Sequence, residues 1–355
     1  MLLKISCRQP GEFKKYMDDP TIIPTGVVLI NYQEWEYTSI GTNPSFEELV
    51  DYVNKHDVPL HIINGSAPDT MLLYDDSNLR YKNIQPIIYW PTYFLTCWFE
   101  HFRNGADTSA GVNELLSSEY NKEFDHLYVS LNNKPHPHRC LQIDLLAKNN
   151  ILDKGAVTWN SWYLDQGRML DQYIDYNWRW WEPKIMVLDE INGSGGWNTQ
   201  LPNEYKHAFM QLTSETSVKA PFMTEKIVPA LLFNKPFLVS SIEGFHAMLQ
   251  SYGFVLYDEV FDYSFDSEPD IEKRFDMLTQ NIVKLKDHSK DQLAVLYQQL
   301  LPKLIHNKRN LFKIATDAQL YPEFLLNLLK VDHELLLNED IYHYYQKYKF
   351  GGISI

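Results

Sequence analysis

The sequence predicts an α/β protein with two successive parallel-sheet units and a helical C-terminal tail. In the first third of the chain, short apolar runs alternate with amphipathic helical segments, a pattern typical of parallel strands covered by helices. The alternation stops in a polar stretch at about 105–125 and then begins again. At 355 residues the chain also exceeds what one hydrophobic core usually fills, so two domains are expected.

The first unit is predicted from three strand signals and one strong helix signal. Ser45 and Glu48 form a capping box that opens an amphipathic helix over 45–57. Strands are predicted over 25–33, 58–69 and 84–91. We place the end of this domain near residue 120, where the chain turns polar.

The second unit repeats the alternation, and we assign it to residues 121–335. Strands are predicted over 126–132, 155–159, 184–190, 208–215, 236–241 and 253–259. Helices are predicted over 139–150, near 202–208 and after Thr224. Apolar residues at helical spacing continue from 271, and residues 336–355 are predicted to form a helical tail. Two open sheets imply a central cleft, with ligands at the carboxyl ends of the strands.

The net charge restricts the possible partners. A formal charge of -14 argues against nucleic acid, because binding to a phosphate backbone draws on an excess of Lys and Arg. It also disfavours a polybasic membrane-binding surface. Any phosphate that this protein binds is therefore expected to be held by a few local residues.

The cysteines and the apolar segments indicate a compartment. Cys7, Cys97 and Cys140 are widely spaced, which excludes a disulfide framework and suits a reducing environment. We find no signal peptide and no apolar run of the roughly 18 residues that a membrane span needs. The expectation is a soluble, cytoplasmic protein, and the sequence leaves its oligomeric state open.

Thr224, Glu225 and Lys226 stand together at the predicted start of a helix that follows a strand. Backbone N–H groups and a positive dipole end at such a position favour an anion. Lys226 could pair with a phosphate there, and Glu225 could accept hydrogen bonds from ribose hydroxyls. The alternative is that Thr224 and Glu225 only cap the helix, which in that case starts at Thr224 or slightly later, with Pro229 in its first turn.

Arg139 occupies a similar position after the strand predicted at 126–132. It follows a proline-interrupted loop and falls at the entrance of the next helix, where a guanidinium is suited to a bidentate grip on phosphate. His136 and His138 flank this position, but neither thiol nor carboxylate ligands accompany them. We therefore predict no metal site.

The run "TEKIVPALLFNKPFLVSS", followed by "GFHAMLQSYGFVLYDEVFDYSFD" and Arg274, resembles the donor-binding half of α-1,3-fucosyltransferase-like glycosyltransferases. It is also similar to related glycosyltransferase-like proteins of marine bacteria and viruses. The upstream "LNNKPHPHR" resembles the family's Asn-rich loop that ends in a phosphate-binding arginine. The resemblance covers roughly residues 126–285, and the first 120 residues match no family that we can name.

The resemblance implies a GT-B architecture, in which two Rossmann-like domains face a central cleft. The second domain would hold a nucleotide-diphosphate sugar, with a GDP-sugar favoured, and the first would hold a glycan or polysaccharide acceptor. By position, Arg139 and Lys226 would neutralise the diphosphate, Glu225 would hold the ribose and Thr224 would cap and orient this entrance. Such an enzyme, a hexosyltransferase of fucosyltransferase type, needs no cofactor and no metal, because cations stabilise the leaving group.

An inverting transfer also needs a general base, usually a carboxylate. Glu34 and Glu36 are the best placed, since they directly follow the strand predicted at 25–33, and Asp69 stands behind them. Further donor contacts are expected from the aromatic segment 158–183 and from the stretch near 262. The candidates there are Asn160, Tyr163 and Tyr263.

Two other functions stay open at this point. One is a non-catalytic carbohydrate-binding or structural protein on a GT-B scaffold, because the sequence does not place the base firmly. The other is an NAD-dependent nucleotide-sugar epimerase, which would require a glycine fingerprint after the first strand. The stretch "LINYQEWEY" lacks that fingerprint.

Overall fold

The computed structural model describes most of both sheets and of the helices that follow them. The described residues are 1–6, 14, 16–31, 46–65, 82–86, 88–91, 94, 123–132, 136–159, 203–218, 221–317, 321, 323–332 and 336. The chain divides into two compact units. Unit 1 comprises Met1–Asp107, Lys219–Thr224 and Lys313–Ile355, and unit 2 comprises Thr108–Val218 and Glu225–Phe312. The domain limits near 120 and 335 that the sequence indicates stay predictions.

Unit 1 contains a four-stranded parallel sheet in the order β1-β2-β3-β4. Its strands are β1 (Leu2–Ser6), β2 (Gly26–Asn31), β3 (Leu60–Asn64) and β4 (Ile88–Tyr89). Helix α1 (Phe46–His56) connects β2 to β3 and packs Leu49 and Val53 into the same core as Val27 and Leu29 of β2. The predicted helix and the three predicted strands are confirmed, although β4 is only two residues long.

Strand β1 was not predicted from the sequence. It lies at the edge of the sheet and pairs only with β2 among the described strands. Among the side chains of β1 whose burial is described, those of Leu3 and Ile5 are buried. The apolar residues of this five-residue strand, Leu2, Leu3 and Ile5, do not show the strict alternation by which a half-buried strand is recognised.

Unit 2 contains a second four-stranded parallel sheet, in the order β6-β5-β7-β8. Its strands are β5 (His126–Asn132), β6 (Gly155–Trp159), β7 (Ala208–Ser214) and β8 (Phe237–Ser240). All four were predicted, and the α/β class with two parallel sheets is confirmed. Every residue of β7 is buried, as expected for a parallel strand covered on both faces. The strand predicted over 184–190 lies outside the described residues.

The strand order of the second sheet creates a switch point between β5 and β7. The chain runs from β5 outward to β6 on one side and continues from β7 outward to β8 on the other. At such a point the connections after the two central strands leave in opposite directions, and ligands of open α/β sheets bind in the crevice that results. The residues that follow β5 and β7 therefore occupy the most favourable position for a ligand in this unit.

Helices account for most of the remaining described chain. They are α2 (Pro137–Lys148), α3 (Asn203–Lys206), α4 (Val228–Leu232), α5 (Phe245–Ser251), α6 (Ile271–Val283), α7 (Lys290–Asp317) and α8 (Glu323–Leu329). The Asp270 side chain caps α6 by accepting a hydrogen bond of 2.8 Å from the backbone N–H of Lys273. Of the tail predicted over 336–355, only Leu336 is described, and it is helical.

The strand predicted over 253–259 is not formed. Gly253 lies one residue beyond Tyr252, the C-cap residue of α5, and adopts a positive φ of 84°, so the stretch begins as the termination of that helix. The next backbone groups pair with a side chain: the Asn307 amide accepts from the Val255 N–H at 2.8 Å and donates to the Val255 carbonyl at 2.9 Å. This amide satisfies the hydrogen bonds that a neighbouring strand would otherwise supply.

None of the helices within the described ranges combines the length and the apolar character that are required to cross a bilayer.

Candidate functional site

The segment after Thr224 is a helix entrance, as predicted, but it is built in two steps. Glu225–Ile227 form a 3-10 turn, and α4 follows directly at Val228 with Pro229 in its first turn. The N-cap residue of α4 is accordingly Ile227. A helix of five residues has a small dipole, so any anion here would depend on side-chain charge more than on the helix.

Among the described residues, Thr216, Glu215 and Glu225 each place an oxygen atom near the Lys226 ammonium group. Its Nζ donates a hydrogen bond of 2.7 Å to the Thr216 hydroxyl. The same atom lies 3.6 Å from a carboxylate oxygen of Glu215 and 3.8 Å from one of Glu225. The Lys226 side chain is 25% exposed, so its ammonium group is fixed in place and still reachable from solvent.

The backbone of Lys226 is fixed as well. The Gln211 side chain, which projects from β7, donates a hydrogen bond of 2.8 Å to the Lys226 carbonyl. Gln211 is itself held by two hydroxyl groups, because its amide donates to Thr213 at 2.6 Å and its carbonyl accepts from Tyr205. The sheet therefore sets the position of Lys226 through a chain of buried polar contacts.

Glu215 directly follows β7 and is completely buried. Its carboxylate accepts a hydrogen bond of 3.1 Å from the Thr216 N–H, in addition to the ion pair with Lys226. Its own N–H donates to the Ser240 carbonyl at 3.1 Å. A buried carboxylate is costly without a countercharge, and the Lys226 ammonium group supplies one at 3.6 Å.

His138, in the first turn of α2, joins the residues after β5 to those after β7. Its Nε2 donates a hydrogen bond of 2.7 Å to the backbone carbonyl of Glu215. Burial lowers the pKa of His138 to about 3, and the nearby charges of Arg139 and Lys226 act in the same direction, while the bond to the carbonyl opposes them. His138 is therefore neutral near pH 7, with its proton on Nε2.

Arg139 also lies in the first turn of α2, and only 5% of its surface is exposed. Its charge and that of Lys226 both act on the His138 imidazole, so the two cations share one electrostatic neighbourhood. Because Arg139 is buried, it can contribute positive electrostatic potential at a ligand more readily than it can form the direct bidentate grip on phosphate that the sequence suggests. Arg139 is thus linked to the contacts of Lys226 through its neighbour His138, which joins the helix after β5 to the residue after β7.

The remaining predicted donor residues differ in accessibility. Thr224 immediately precedes the 3-10 turn and is completely buried, which suits a structural role at the entrance. Glu225 is 20% exposed and sits beside Lys226, so its carboxylate is within reach of a ligand that contacts the ammonium group. The structure brings Arg139, Glu225 and Lys226 into one region.

Tyr263 belongs to a different cluster. It opens a 3-10 turn (Tyr263–Ser267), and its hydroxyl accepts a hydrogen bond of 3.3 Å from the Tyr257 N–H. Its ring lies 5.2 Å from the His246 ring and 5.8 Å from that of Phe265, measured between centroids. Burial raises the pKa of the Tyr263 phenol well above its usual value. Its role as a donor contact stays a prediction.

Next to Tyr263, His246 and Asp266 form a buried pair with a structural role. His246 Nδ1 lies 2.8 Å from the Asp266 carboxylate, which also accepts from the N–H groups of His246 and Ala247 at the start of α5. His246 Nε2 accepts from the Val239 N–H at 3.3 Å. These contacts use both ring nitrogens and cap a helix.

Five predicted site residues lie outside the described residues: the proposed bases Glu34, Glu36 and Asp69, and the proposed donor contacts Asn160 and Tyr163. Within the described ranges, no three His, Cys, Asp or Glu side chains come together as a group that could hold a metal ion.

Sequence reasoning missed Glu215, Thr216 and Gln211. A signal for Glu215 was present, because a carboxylate directly after seven buried strand residues lies at the carboxyl edge of the sheet. Gln211 looked like an ordinary strand residue, and only the fold brings it to Lys226.

Together the site offers the reachable ammonium group of Lys226, the partly buried carboxylate of Glu225 and the buried guanidinium of Arg139. This set of groups can bind a hydroxylated anion such as a nucleotide.

Comparison with known proteins adds little at the level of sequence. No protein-family model matches the chain. No curated protein matches it either. Among solved structures, a crystal structure of an α1,3-fucosyltransferase is similar over 96% of this chain and 92% of its own length, with 12% sequence identity and a TM-score of 0.31. At this level of similarity, a function has to be argued from the residues of the site.

Proposed function

We propose that this protein is a glycosyltransferase of GT-B type that moves a sugar from a nucleotide-diphosphate sugar to a hydroxyl group of a glycan or another acceptor. One observation carries the proposal: Glu215, directly after β7, contacts Lys226 through its carboxylate at 3.6 Å and His138, the neighbour of Arg139 in the chain, through its backbone carbonyl at 2.7 Å, so both basic residues belong to the segments at the switch point of the second sheet. In a chain with a formal charge of -14, two cations at the usual ligand position of an α/β sheet favour an anionic ligand.

The proposed donor would present its diphosphate to Lys226. The ammonium group is 25% exposed and already oriented by Thr216, so it can form a charge-assisted hydrogen bond to a phosphate oxygen at small entropic cost. Arg139 would add positive potential from its buried position. The resemblance of the sequence to α-1,3-fucosyltransferases favours GDP as the nucleotide and fucose as the sugar.

The proposed reaction is an inverting displacement. The acceptor oxygen forms a bond to the anomeric carbon of the sugar while the bond from that carbon to the diphosphate oxygen breaks. The acceptor proton passes to a carboxylate, for which Glu34 and Glu36 are the candidates. Lys226 and Arg139 would stabilise the negative charge that develops on the departing nucleoside diphosphate, a role that divalent metals fill in other transferases.

Glu225 is proposed to hold the ribose. Its carboxylate is 20% exposed and lies 3.8 Å from the Lys226 ammonium group. A carboxylate beside a phosphate-binding cation repels the phosphates, so we expect it to make a favourable contact with another part of the ligand. Hydrogen bonds accepted from two ribose hydroxyl groups would be such a contact.

Calorimetric titration with GDP, UDP and their sugars tests the proposal. We expect the wild type to bind at least one of them at millimolar concentration or below, and Lys226→Ala to weaken that binding by about tenfold or more. The matched control is Lys290→Ala. Lys290 is 66% exposed and pairs with Asp125, which precedes β5 at the opposite edge of the same sheet. Absence of nucleotide binding by the wild type would contradict the proposal.

A non-catalytic binding protein is the second candidate, and one observation favours it. Lys226 already has Thr216, Glu215 and Glu225 around it, so the cluster is also complete as an ordinary ion-pair network. Transfer assays with a panel of nucleotide sugars and free oligosaccharides separate the two candidates. Glycan binding without nucleotide binding or sugar transfer would favour the second.

A further inference from the structure

Glu215 differs from the other carboxylates around Lys226 because it is completely buried and is fixed from three sides. Its N–H donates to the Ser240 carbonyl at 3.1 Å, and its carbonyl accepts from His138 Nε2 at 2.7 Å. Its carboxylate accepts from the Thr216 N–H at 3.1 Å. The position of this carboxylate is therefore set by β8, by α2 and by the adjacent peptide group.

Lys226 has a long side chain with many rotamers, and a fixed countercharge reduces the number it occupies. The buried Glu215 carboxylate lies 3.6 Å from the Lys226 ammonium group. The hydroxyl of Thr216, the residue after Glu215, lies 2.7 Å from the same ammonium group. Exposed ion pairs contribute little, but removal of one partner from a buried pair is costly. Among the described partners of Lys226, Glu215 is thus the one whose position does not depend on solvent.

From these contacts we propose that Glu215 is a positioning residue: its carboxylate orients the Lys226 ammonium group so that it can bind the diphosphate of the donor. The inference rests on the proposed function. Glu215 itself has no surface for a ligand, because its side chain is completely buried. Its effect on the donor is exerted through Lys226.

The substitution Glu215→Gln isolates the carboxylate charge. Glutamine keeps the length of the side chain and can still accept from the Thr216 N–H. The bonds to Ser240 and His138 are made by backbone atoms of residue 215 and are retained. We expect about a tenfold or greater loss of GDP affinity and no change in the affinity for guanosine, which lacks the phosphates.

A double-mutant cycle tests whether Glu215 acts through Lys226. In a Lys226→Ala background, Glu215→Gln should change GDP affinity by less than about twofold, because the group that it orients is absent. The matched control is Glu259→Gln, which removes the carboxylate of an exposed pair with Lys303 at 2.8 Å and should leave GDP affinity unchanged. Equal losses in the wild-type and Lys226→Ala backgrounds would overturn the inference, as would unchanged affinity in Glu215→Gln.

Thermal unfolding supplies a readout that needs no nucleotide. The variant Lys226→Met leaves a buried carboxylate without its ammonium group, so Glu215→Gln added to it should raise the unfolding temperature. A double variant less stable than Lys226→Met would overturn the pairing, even if Glu215→Gln alone fails to fold.

If the wild type binds neither GDP nor UDP, the proposed function fails and the positioning role with it. The unfolding temperatures of Lys226→Met and of the double variant then still test the ion pair between Glu215 and Lys226.

Discussion

His138 Nε2 donates a hydrogen bond of 2.7 Å to the backbone carbonyl of Glu215. This single hydrogen bond joins the helix after β5 to the residue after β7, across the switch point of the second sheet. A carbonyl oxygen can only accept, which assigns the proton to Nε2. The arrangement of the candidate site therefore depends on an imidazole that carries a proton on Nε2.

Acid should destabilise the protein through His138. Its folded pKa is about 3, and the imidazole of an unfolded chain titrates near 6.5, so unfolding takes up a proton between these values. The stabilising contribution is complete above about pH 6.5 and is lost as the pH falls towards 3, by up to about 1.4 kcal/mol per pH unit. Urea unfolding of the wild type and His138→Gln between pH 7 and 4.5 measures this, because glutamine can donate to Glu215 without titrating.

The matched control for that measurement is His306→Gln. His306 Nε2 also contacts a carbonyl, that of Gly253 at 3.0 Å, but the side chain is exposed. This variant should keep the acid dependence of the wild type. If His138→Gln keeps it too, the titration of His138 does not limit stability.

Glu225 can be tested through the sugar of the nucleotide. If its carboxylate accepts from the ribose hydroxyls, the wild type should bind GDP about fivefold or more tightly than 2′-deoxy-GDP. Glu225→Ala should bind the two equally. Calorimetry with both nucleotides provides the measurement, and Glu243→Ala, at an exposed position before α5, serves as the control. Retained discrimination in Glu225→Ala would move the ribose contact to another residue.

Lys235 should make the protein more stable as the pH rises above neutrality. Its side chain is buried, donates to the Ala208 carbonyl and lies 5.3 Å from the centroid of the Tyr205 ring. Burial lowers the pKa of Lys235 to about 7. Since an unfolded lysine titrates near 10.4, unfolding takes up a proton above pH 7, and the unfolding free energy increases by up to about 1.4 kcal/mol per pH unit.

Lys235→Met should remove this increase. Urea unfolding at pH 7, 8 and 9 compares the slopes of wild type and variant, and Lys286→Met is the control, because Lys286 is exposed. The contribution of Lys235 is complete above about pH 10.4 and is lost as the pH falls to about 7. Identical slopes in all three proteins would show that Lys235 stays charged when buried.

Asn307 should be needed for the stability of unit 2. Its amide makes both backbone hydrogen bonds of Val255 and donates to the Tyr257 hydroxyl at 3.1 Å. Asn307→Ala leaves these groups without this partner and should lower the unfolding free energy by about 2–4 kcal/mol. Asn307→Asp keeps the acceptor for the Val255 N–H but loses the donors to the Val255 carbonyl and the Tyr257 hydroxyl. The same urea titration should therefore give a loss of unfolding free energy that differs from that of Asn307→Ala. A loss below about 0.5 kcal/mol in Asn307→Ala would contradict this role.

The central strands were predictable because a parallel strand buried on both faces is a short, mainly apolar run. All seven residues of β7 are buried, and Ala208, Phe209, Met210 and Leu212 among them are apolar. The same rule failed at 253–259, where an apolar stretch pairs with the Asn307 side chain, which lies about 50 residues later in the chain. Arg139 and Lys226 were predictable as charges after strand ends. Glu215, His138 and Gln211 were not assigned to the site, since their contacts with each other and with Lys226 depend on the pairing of β5 with β7.

The division of the chain also determines the order in which the protein can complete its folding. Unit 1 takes its first piece from the start of the chain and its last from Lys313 onward, whereas the final piece of unit 2 ends at Phe312. During synthesis, therefore, all of unit 2 emerges from the ribosome before unit 1 is complete. We expect the candidate nucleotide site to be able to form before the last segment of unit 1 is synthesised, the reverse of the usual N-terminal-first order.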